Sequence, residues 1–272
     1  MASARFYASA APDWWPFQLV SLANRRLPPR RYYFYSILVD NGMFSYYKLG
    51  ERPPDLDKWY LMLLKFINDI ERLRRPVEIA VILPDFLNNP TFTLKAARHH
   101  VAREICNNYD CFIVVHSEPT LVQWMNREYY GGYAKSAVEA VSVAEAVGLA
   151  APLKLNCSRI ANGHRVIRLH CQKAIVEQVC GIARRIGIRC HGLGVALKPQ
   201  HVKKLLELGL TSFDSSSWTR PNNSIVAKTA RWSAKTKAEK ELFFKTVLMR
   251  LRDAGVALEG VEEMRVAGES NG

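Results

Sequence analysis

The sequence predicts a compact (β/α)8 barrel of the TIM type that ends in a basic C-terminal helix. Short β-rich runs alternate with helical patterns along most of the 272 residues, which is typical of a parallel sheet with crossover helices. There are about six to eight strand candidates, close to the number a small barrel needs. An open doubly wound sheet is the alternative, although the chain has no GxGxxG or Walker A loop to favour it.

The order of elements follows from local patterns. β-branched, aromatic and apolar runs predict strands, and apolar residues at helical spacing predict helices. The strand candidates are Tyr32–Val39, Val77–Leu83, Cys111–Val115, Leu153–Asn156, Arg165–Leu169, Ile188–Val195 and Leu210–Phe213. The helix candidates are a segment from Trp59 to Ile70, then Thr91–Ile105, Pro119–Tyr129, Ala134–Val147, Ala174–Ile186, Pro199–Leu208 and Ala234–Ala254.

These elements suggest three parts of the chain. Residues 1–31 are expected to be an irregular N-terminal arm, in which Trp14-Trp15-Pro16 is followed by the Pro- and Arg-rich residues 25–31. Residues 32–230 are expected to form the catalytic barrel. Residues 231–272 are expected to be a helical extension packed on the barrel, with a basic outer face.

The charge balance favours a polyanionic partner. The 38 Lys and Arg residues outnumber the 25 Asp and Glu residues, giving a formal net charge of +13. Such an excess favours nucleic acid. Residues 25–35, RRLPPRRYYFY, combine cations with aromatic residues, a composition that suits phosphates and stacked bases, although a solvated arm leading into a buried strand would look similar.

The six cysteines are expected to be mostly buried thiols in a cytoplasmic protein. None belongs to a CxC or CxxC pair, so neither a zinc site nor another metal is predicted. No N-terminal signal pattern and no apolar stretch long enough to cross a bilayer is present, so no membrane partner is expected. No cofactor is indicated by any motif.

Three carboxylates share one position relative to the strands. Asp40, Asp85 and Asp214 each follow the C-terminal end of a strand candidate. In a parallel barrel those ends meet on the face that holds the active site, although a single Asp there is equally typical of a cap or turn. Together they could capture an oxocarbenium-like carbon, manage a proton on a leaving base and accept hydrogen bonds from a purine edge.

The same segments resemble the tRNA-guanine transglycosylase superfamily. The run His191-Gly192-Leu193-Gly194-Val195, a helix and Ser212-Phe213-Asp214, continuing to Thr219-Arg220, resembles the C-terminal core of these enzymes. The loop Asp40-Asn41-Gly42-Met43-Phe44 resembles the family's Asp-Ser-Gly-Gly-aromatic loop, and Pro84-Asp85 resembles its base-recognising segment. The wording around His191 and Trp218 is closer to the branch that inserts 7-deazaguanines into DNA.

The resemblance implies a glycosyltransferase that replaces guanine by a 7-deazaguanine. Asp214 would be the nucleophile at C1′, Asp40 the acid and base, and Asp85 the reader of the purine edge. The resemblance leaves both DNA and tRNA open as the polymer, with DNA slightly favoured, and it also leaves a homo-oligomer or a partner subunit open. Further candidates around the base are Phe44, His116, Asn156, Cys157, His191, Gly192, Gly194 and Trp218; those for phosphates are Arg25, Arg26, Arg30, Arg31 and Arg220.

Some family features are absent from the chain. The cysteine-rich zinc motif is missing, and Met43 replaces a glycine of the loop. A catalytically silent nucleic-acid-binding barrel is therefore the alternative function, and a barrel hydrolase acting on a small substrate is a third.

Overall fold

The fold was derived from a computed structural model of the chain. The structure describes residues 3–24, 27, 36–43, 45–46, 51–73, 78–86, 90–116, 144–150, 158–161, 164–167, 177, 180–181, 184, 189–215, 218 and 236–261.

Eight parallel strands close into a barrel, which confirms the predicted TIM-type fold. The barrel strands are β1 Arg5–Ser9, β2 Phe17–Ser21, β3 Ser36–Asp40, β4 Glu78–Ile82, β5 Asp110–His116, β6 Ala144–Ala150, β9 Arg189–Gly192 and β10 Ser212–Ser215. Their spatial order around the barrel is β1-β10-β9-β6-β5-β4-β3-β2. A separate antiparallel pair consists of β7 Ser158–Ala161 and β8 His164–Ile167.

Five helices of the described residues have defined bounds. They are α1 Leu56–Glu71, α2 Pro90–Ala97, α3 His100–Asn108, α4 Pro199–Glu207 and α5 Lys237–Asp253. Asp55 caps α1 by accepting a hydrogen bond from the backbone N–H of Lys58, and a Thr236–Glu239 capping box starts α5. None of the helices in the described part of the chain combines the length and apolar character needed to cross a bilayer.

The predicted N-terminal arm is wrong, because the barrel begins at Arg5 rather than at residue 32. β1 and β2 both lie in the segment that the sequence left irregular. β1 pairs with β10, more than 200 residues further along the chain, with Tyr7 opposite Asp214. Local patterns could not show this partner, since a five-residue strand gains its burial from neighbours that are remote in sequence.

β6 is a second correction. Its sequence, AEAVGLA, overlaps the predicted helix Ala134–Val147, because Ala and Glu are good helix formers. In the structure it lies between β5 and β9, and pairing on both sides outweighs this weak local preference. The strand predicted at Arg165–Leu169 overlaps β8, which lies outside the barrel, and Leu153–Asn156 lies outside the described residues.

Charged side chains occupy the N-terminal end of the barrel. Arg5, Glu78, Asp110 and Arg189 are the first residues of β1, β4, β5 and β9. Arg5 and Arg189 both pair with Glu78, and Arg189 also pairs with Asp110. Because β1 and β4 are not neighbours in the barrel, their ion pair must cross its interior.

The C-terminal helix packs on the barrel, next to β1. Phe244 of α5 lies at ring-centroid distances of 5.9 Å from Phe6, 5.5 Å from Trp15 and 4.9 Å from Trp218. After the helix, Ala4 accepts a backbone hydrogen bond from Glu259 and donates one to Ala257. The end of α5 therefore lies at the N-terminal end of the barrel.

Four cysteines are paired, which corrects the expectation of thiols. Cys106 is bonded to Cys111, and Cys180 is bonded to Cys190. The paired cysteines are 5 and 10 residues apart in the sequence. The first bond joins α3 to β5, and the second joins a helical residue to β9. Disulfides are uncommon in the cytosol, so these two pairs count against the expected cytoplasmic location, which stays a prediction.

Candidate active site

The three predicted carboxylates come together at the C-terminal end of the barrel. Asp40 is the last residue of β3, Asp214 lies in β10, and Asp85 follows β4. Burial raises the pKa of Asp40 to about 6; a hydrogen bond with Ser21 opposes this, while repulsion from Asp214 and Asp85 adds to it. Such repulsion requires carboxylates that are close in space.

Asp214 is held by two groups on the same oxygen. The backbone N–H of Gly194 donates to Oδ1 over 3.0 Å, and Nε2 of His191 lies 3.2 Å from Oδ1. Gly194 has a φ of +62°, a conformation that favours glycine, and this directs its N–H at the carboxylate. The carboxylate is largely buried, with 11% of the side chain exposed. Its orientation is therefore determined by β9 and the segment that follows it.

Asn41 organises the other side of the site, and the sequence analysis did not assign it a role. Its Nδ2 donates to Oδ1 of Asp85 over 2.7 Å and to the carbonyl of Leu83 over 2.8 Å. Its Oδ1 accepts from the backbone N–H of Met43, so the loop folds back on its own side chain. The neighbouring backbone N–H of Gly42 donates to Oδ1 of Asp40 over 3.3 Å. The Asp40 loop therefore positions two of the three acids.

Met43 does not contribute an exposed side chain to this loop. It is 1% exposed and belongs to the hydrophobic core. Gly42 before it has a φ of +74°, and a Cβ there would lie 2.7 Å from the backbone nitrogen of Ala23. The tight approach to the end of β2 explains why a glycine is needed at the second position after Asp40.

Three predicted base-binding residues have other positions. His191 is fully buried and contacts Asp214 and Ser212 rather than an open pocket. Trp218 is 2% exposed, packs on Phe244 and donates from Nε1 to the carbonyl of Ser9. A Cβ on Gly192 would collide with Val195 and Leu210 at under 3 Å, so this glycine serves close packing. His191 therefore contacts Asp214, while Trp218 and Gly192 serve packing, and local sequence cannot distinguish such roles from direct contact with a base.

The remaining candidates are described only in part or not at all. His116 is the last residue of β5, at the C-terminal end of the barrel, where its backbone pairs with Ala150 of β6. The other predicted residues that lie outside the described residues are Phe44, Asn156, Cys157, Arg25, Arg26, Arg30, Arg31 and Arg220.

The arrangement places carboxylates in different environments within one site. Asp214 is oriented by two polar contacts on a single oxygen, and burial raises the pKa of Asp40 to about 6. Acid–base and nucleophilic chemistry use such a combination. Among the described residues, no group of three His, Cys, Asp or Glu side chains is arranged to hold a metal ion.

No protein-family model matches the chain, and no curated protein is similar to it in sequence. Among solved structures, the YdjI aldolase from Escherichia coli K12 is similar with a TM-score of 0.43 and 8% identity, over 96% of this chain and 93% of the aldolase. GMP reductase from Trypanosoma brucei, in complex with guanosine 5′-triphosphate, gives a TM-score of 0.36 and 12% identity, over 70% of this chain and 45% of the reductase. The chain thus matches less than half the length of that reductase. Both similar proteins are enzymes, and likeness at this level says nothing about which reaction a barrel catalyses.

Proposed function

We propose that this protein is a base-exchange transglycosylase that replaces guanine by a 7-deazaguanine in nucleic acid, through a covalent Asp214 intermediate. The observation that carries the proposal is the meeting of Asp40, Asp85 and Asp214, remote in sequence, at one end of the barrel. The net charge of +13 supports a nucleic-acid substrate over a small neutral one. The motifs around these three acids resemble those of tRNA-guanine transglycosylases in the same order.

Each acid has a distinct part in the proposed reaction. Asp214 attacks C1′ of the target nucleoside, so that a C1′–O ester forms while the C1′–N9 bond breaks. The electron pair of that bond leaves with guanine, which takes a proton from Asp40. The incoming 7-deazaguanine then returns a proton to Asp40 and displaces the ester, and two inversions retain the configuration.

The environment of Asp40 supports its role as acid and base. A pKa of about 6 leaves a usable fraction of both protonation states near neutral pH, which efficient proton transfer requires. Asp85 is suited to a different task, because Asn41 holds its Oδ1 at the edge of the site. A carboxylate held in this way can accept hydrogen bonds from the N–H groups of a guanine-like edge.

The test is incorporation of labelled guanine into DNA and into unmodified tRNA, incubated separately with the full-length protein. A positive result is label in one polymer, together with a protein–nucleic acid adduct that survives a denaturing gel. Asp214→Asn should give neither label nor adduct. Asp253→Asn is its matched control, because this carboxylate is 66% exposed near the end of α5. No exchange and no adduct with either polymer, while both still bind, would replace the proposal by the silent-binder alternative.

A further inference from the structure

We infer that His191, backed by Ser212, is a positioning residue that anchors Oδ1 of Asp214 and leaves Oδ2 as the attacking oxygen. The inference deepens the proposed function and rests on it. It concerns three inward-facing residues on two neighbouring strands, since Ser212 is the register partner of His191 and Asp214 lies two residues further along β10.

The protonation state of His191 follows from its two partners. An ionised carboxylate only accepts hydrogen bonds, so Nε2, at 3.2 Å from Asp214 Oδ1, must carry a proton. On the other side, Nδ1 lies 2.8 Å from the hydroxyl of Ser212, which can donate to it. The ring can therefore be neutral with both nitrogens satisfied, and a neutral ring leaves Asp214 its negative charge for attack on C1′.

Aromatic neighbours hold the imidazole in this orientation. Phe112 stacks on it with ring centroids 5.1 Å apart and an interplanar angle of 8°. Tyr7 meets it edge-on at 5.9 Å and 65°, while the Tyr7 hydroxyl is itself within 2.9 Å of Ser36 Oγ. Since His191 is 0% exposed, water and substrate do not reach the ring. It acts on the reaction only through Asp214.

The two contacts on Asp214 select one oxygen. Within the described part of the chain, both polar contacts of this side chain, from Gly194 N–H and from His191, end on Oδ1. Oδ2 thereby keeps its lone pairs for the electrophilic carbon. Misplacement of a reacting atom by about 1 Å can reduce the rate on the order of a hundredfold, which sets the expected effect of losing the anchor.

The activity test compares two substitutions at one position. Gln can present an amide N–H near the place of Nε2, whereas Leu fills a similar volume without a donor. We expect His191→Leu to lower kcat for guanine exchange about a hundredfold with little change in KM, and His191→Gln to recover at least about tenfold of that loss. His99→Leu is the control, since Nε2 of His99 also contacts a carboxylate, Asp57, at 3.1 Å but outside the site. Equal losses of kcat in the Gln and Leu variants, with both proteins folded, would overturn the positioning role.

A second measurement does not depend on exchange activity. In protein labelled with ¹⁵N-histidine, His191 should appear as the neutral ring with the proton on Nε2, and Ser212→Ala should change the Nδ1 resonance. A ring that carries a proton on Nδ1 contradicts the inference. If the native protein exchanges no base, the proposed function fails, and the tautomer of His191 alone decides whether it anchors Asp214.

Discussion

Nδ2 of Asn41 donates a hydrogen bond to Oδ1 of Asp85 over 2.7 Å, so the loop after β3 holds the carboxylate that follows β4. The same side chain binds the Leu83 carbonyl and the Met43 N–H, and Asn41 is only 2% exposed. One buried amide thus connects the ends of two adjacent strands and holds one of the three acids.

Asn41→Ala should therefore destabilise the protein as well as release Asp85. Buried groups left without partners cost about 1–3 kcal/mol each, so we expect the free energy of unfolding to fall by about 2–4 kcal/mol. Urea denaturation measures this change. Asn108→Ala is the control, because Asn108 is exposed and its Nδ2 donates to the Glu104 carbonyl within the same helix; it should change stability by less than about 0.5 kcal/mol. Equal small effects for the two variants would contradict the bridging role.

Asp40→Asn should stabilise the protein at alkaline pH. The pKa of Asp40 is raised from 3.8 to about 6 in the folded chain, so its contribution to stability is full below pH 3.8 and is lost as pH rises through about 6. An amide avoids that loss. The gain in unfolding free energy of Asp40→Asn at pH 8 should exceed its gain at pH 4.5 by up to about 2 kcal/mol. Solvent screening reduces this difference, because the residue is partly exposed. Asp69→Asn, which removes a half-buried partner of Arg72 outside the site, is the control variant in urea denaturation at the two pH values.

Asp214→Asn should abolish base exchange and the covalent adduct while leaving nucleic-acid binding within about twofold, because shape is kept and only the nucleophilic charge is removed. Asp214→Glu shifts the carboxylate by one bond and should lower the rate on the order of a hundredfold. The measurements are labelled-guanine exchange, a denaturing gel and a binding titration. Exchange by Asp214→Asn at the native rate would show that another group attacks C1′.

Nucleic-acid affinity should fall steeply with salt. If the five arginines predicted to contact phosphates each release a counterion, raising salt from 50 to 200 mM should weaken binding on the order of a hundredfold or more. Arg30→Gln and Arg220→Gln should each reduce the slope of log K against log salt by about 0.9. Arg252→Gln is the control, since α5 ends near the start of β1, away from the acids. An affinity that does not change with salt refutes the charge argument.

Reduction of the Cys180–Cys190 bond should lower stability, because the bond closes a loop between a helix and β9 next to His191. A loop of this size is worth about 2–3 kcal/mol in the chain-entropy model. Urea denaturation with and without reductant measures the loss, and Cys180→Ser should abolish the difference that this bond contributes. Alkylation of both cysteines in unreduced, denatured protein would show instead that they are thiols.

The sequence determined the fold class and two of the most informative positions. Alternating strand and helix patterns predicted the barrel, because binary patterning follows directly from the period of each element. Asp40 and Asp214 could be found because each stands at the end of a short apolar strand, and parallel strands share one catalytic face.

The tertiary structure decided what depends on contacts between remote segments. β1 and β2 became barrel strands because β10 and β3 lie beside them, and β6 became a strand against its local helix preference. His191 changed from a base-binding candidate to a support for Asp214, and Asn41 proved to hold Asp85. Burial and hydrogen-bond partners are set by packing across the closed barrel, and no local pattern in the chain records which side chains meet there.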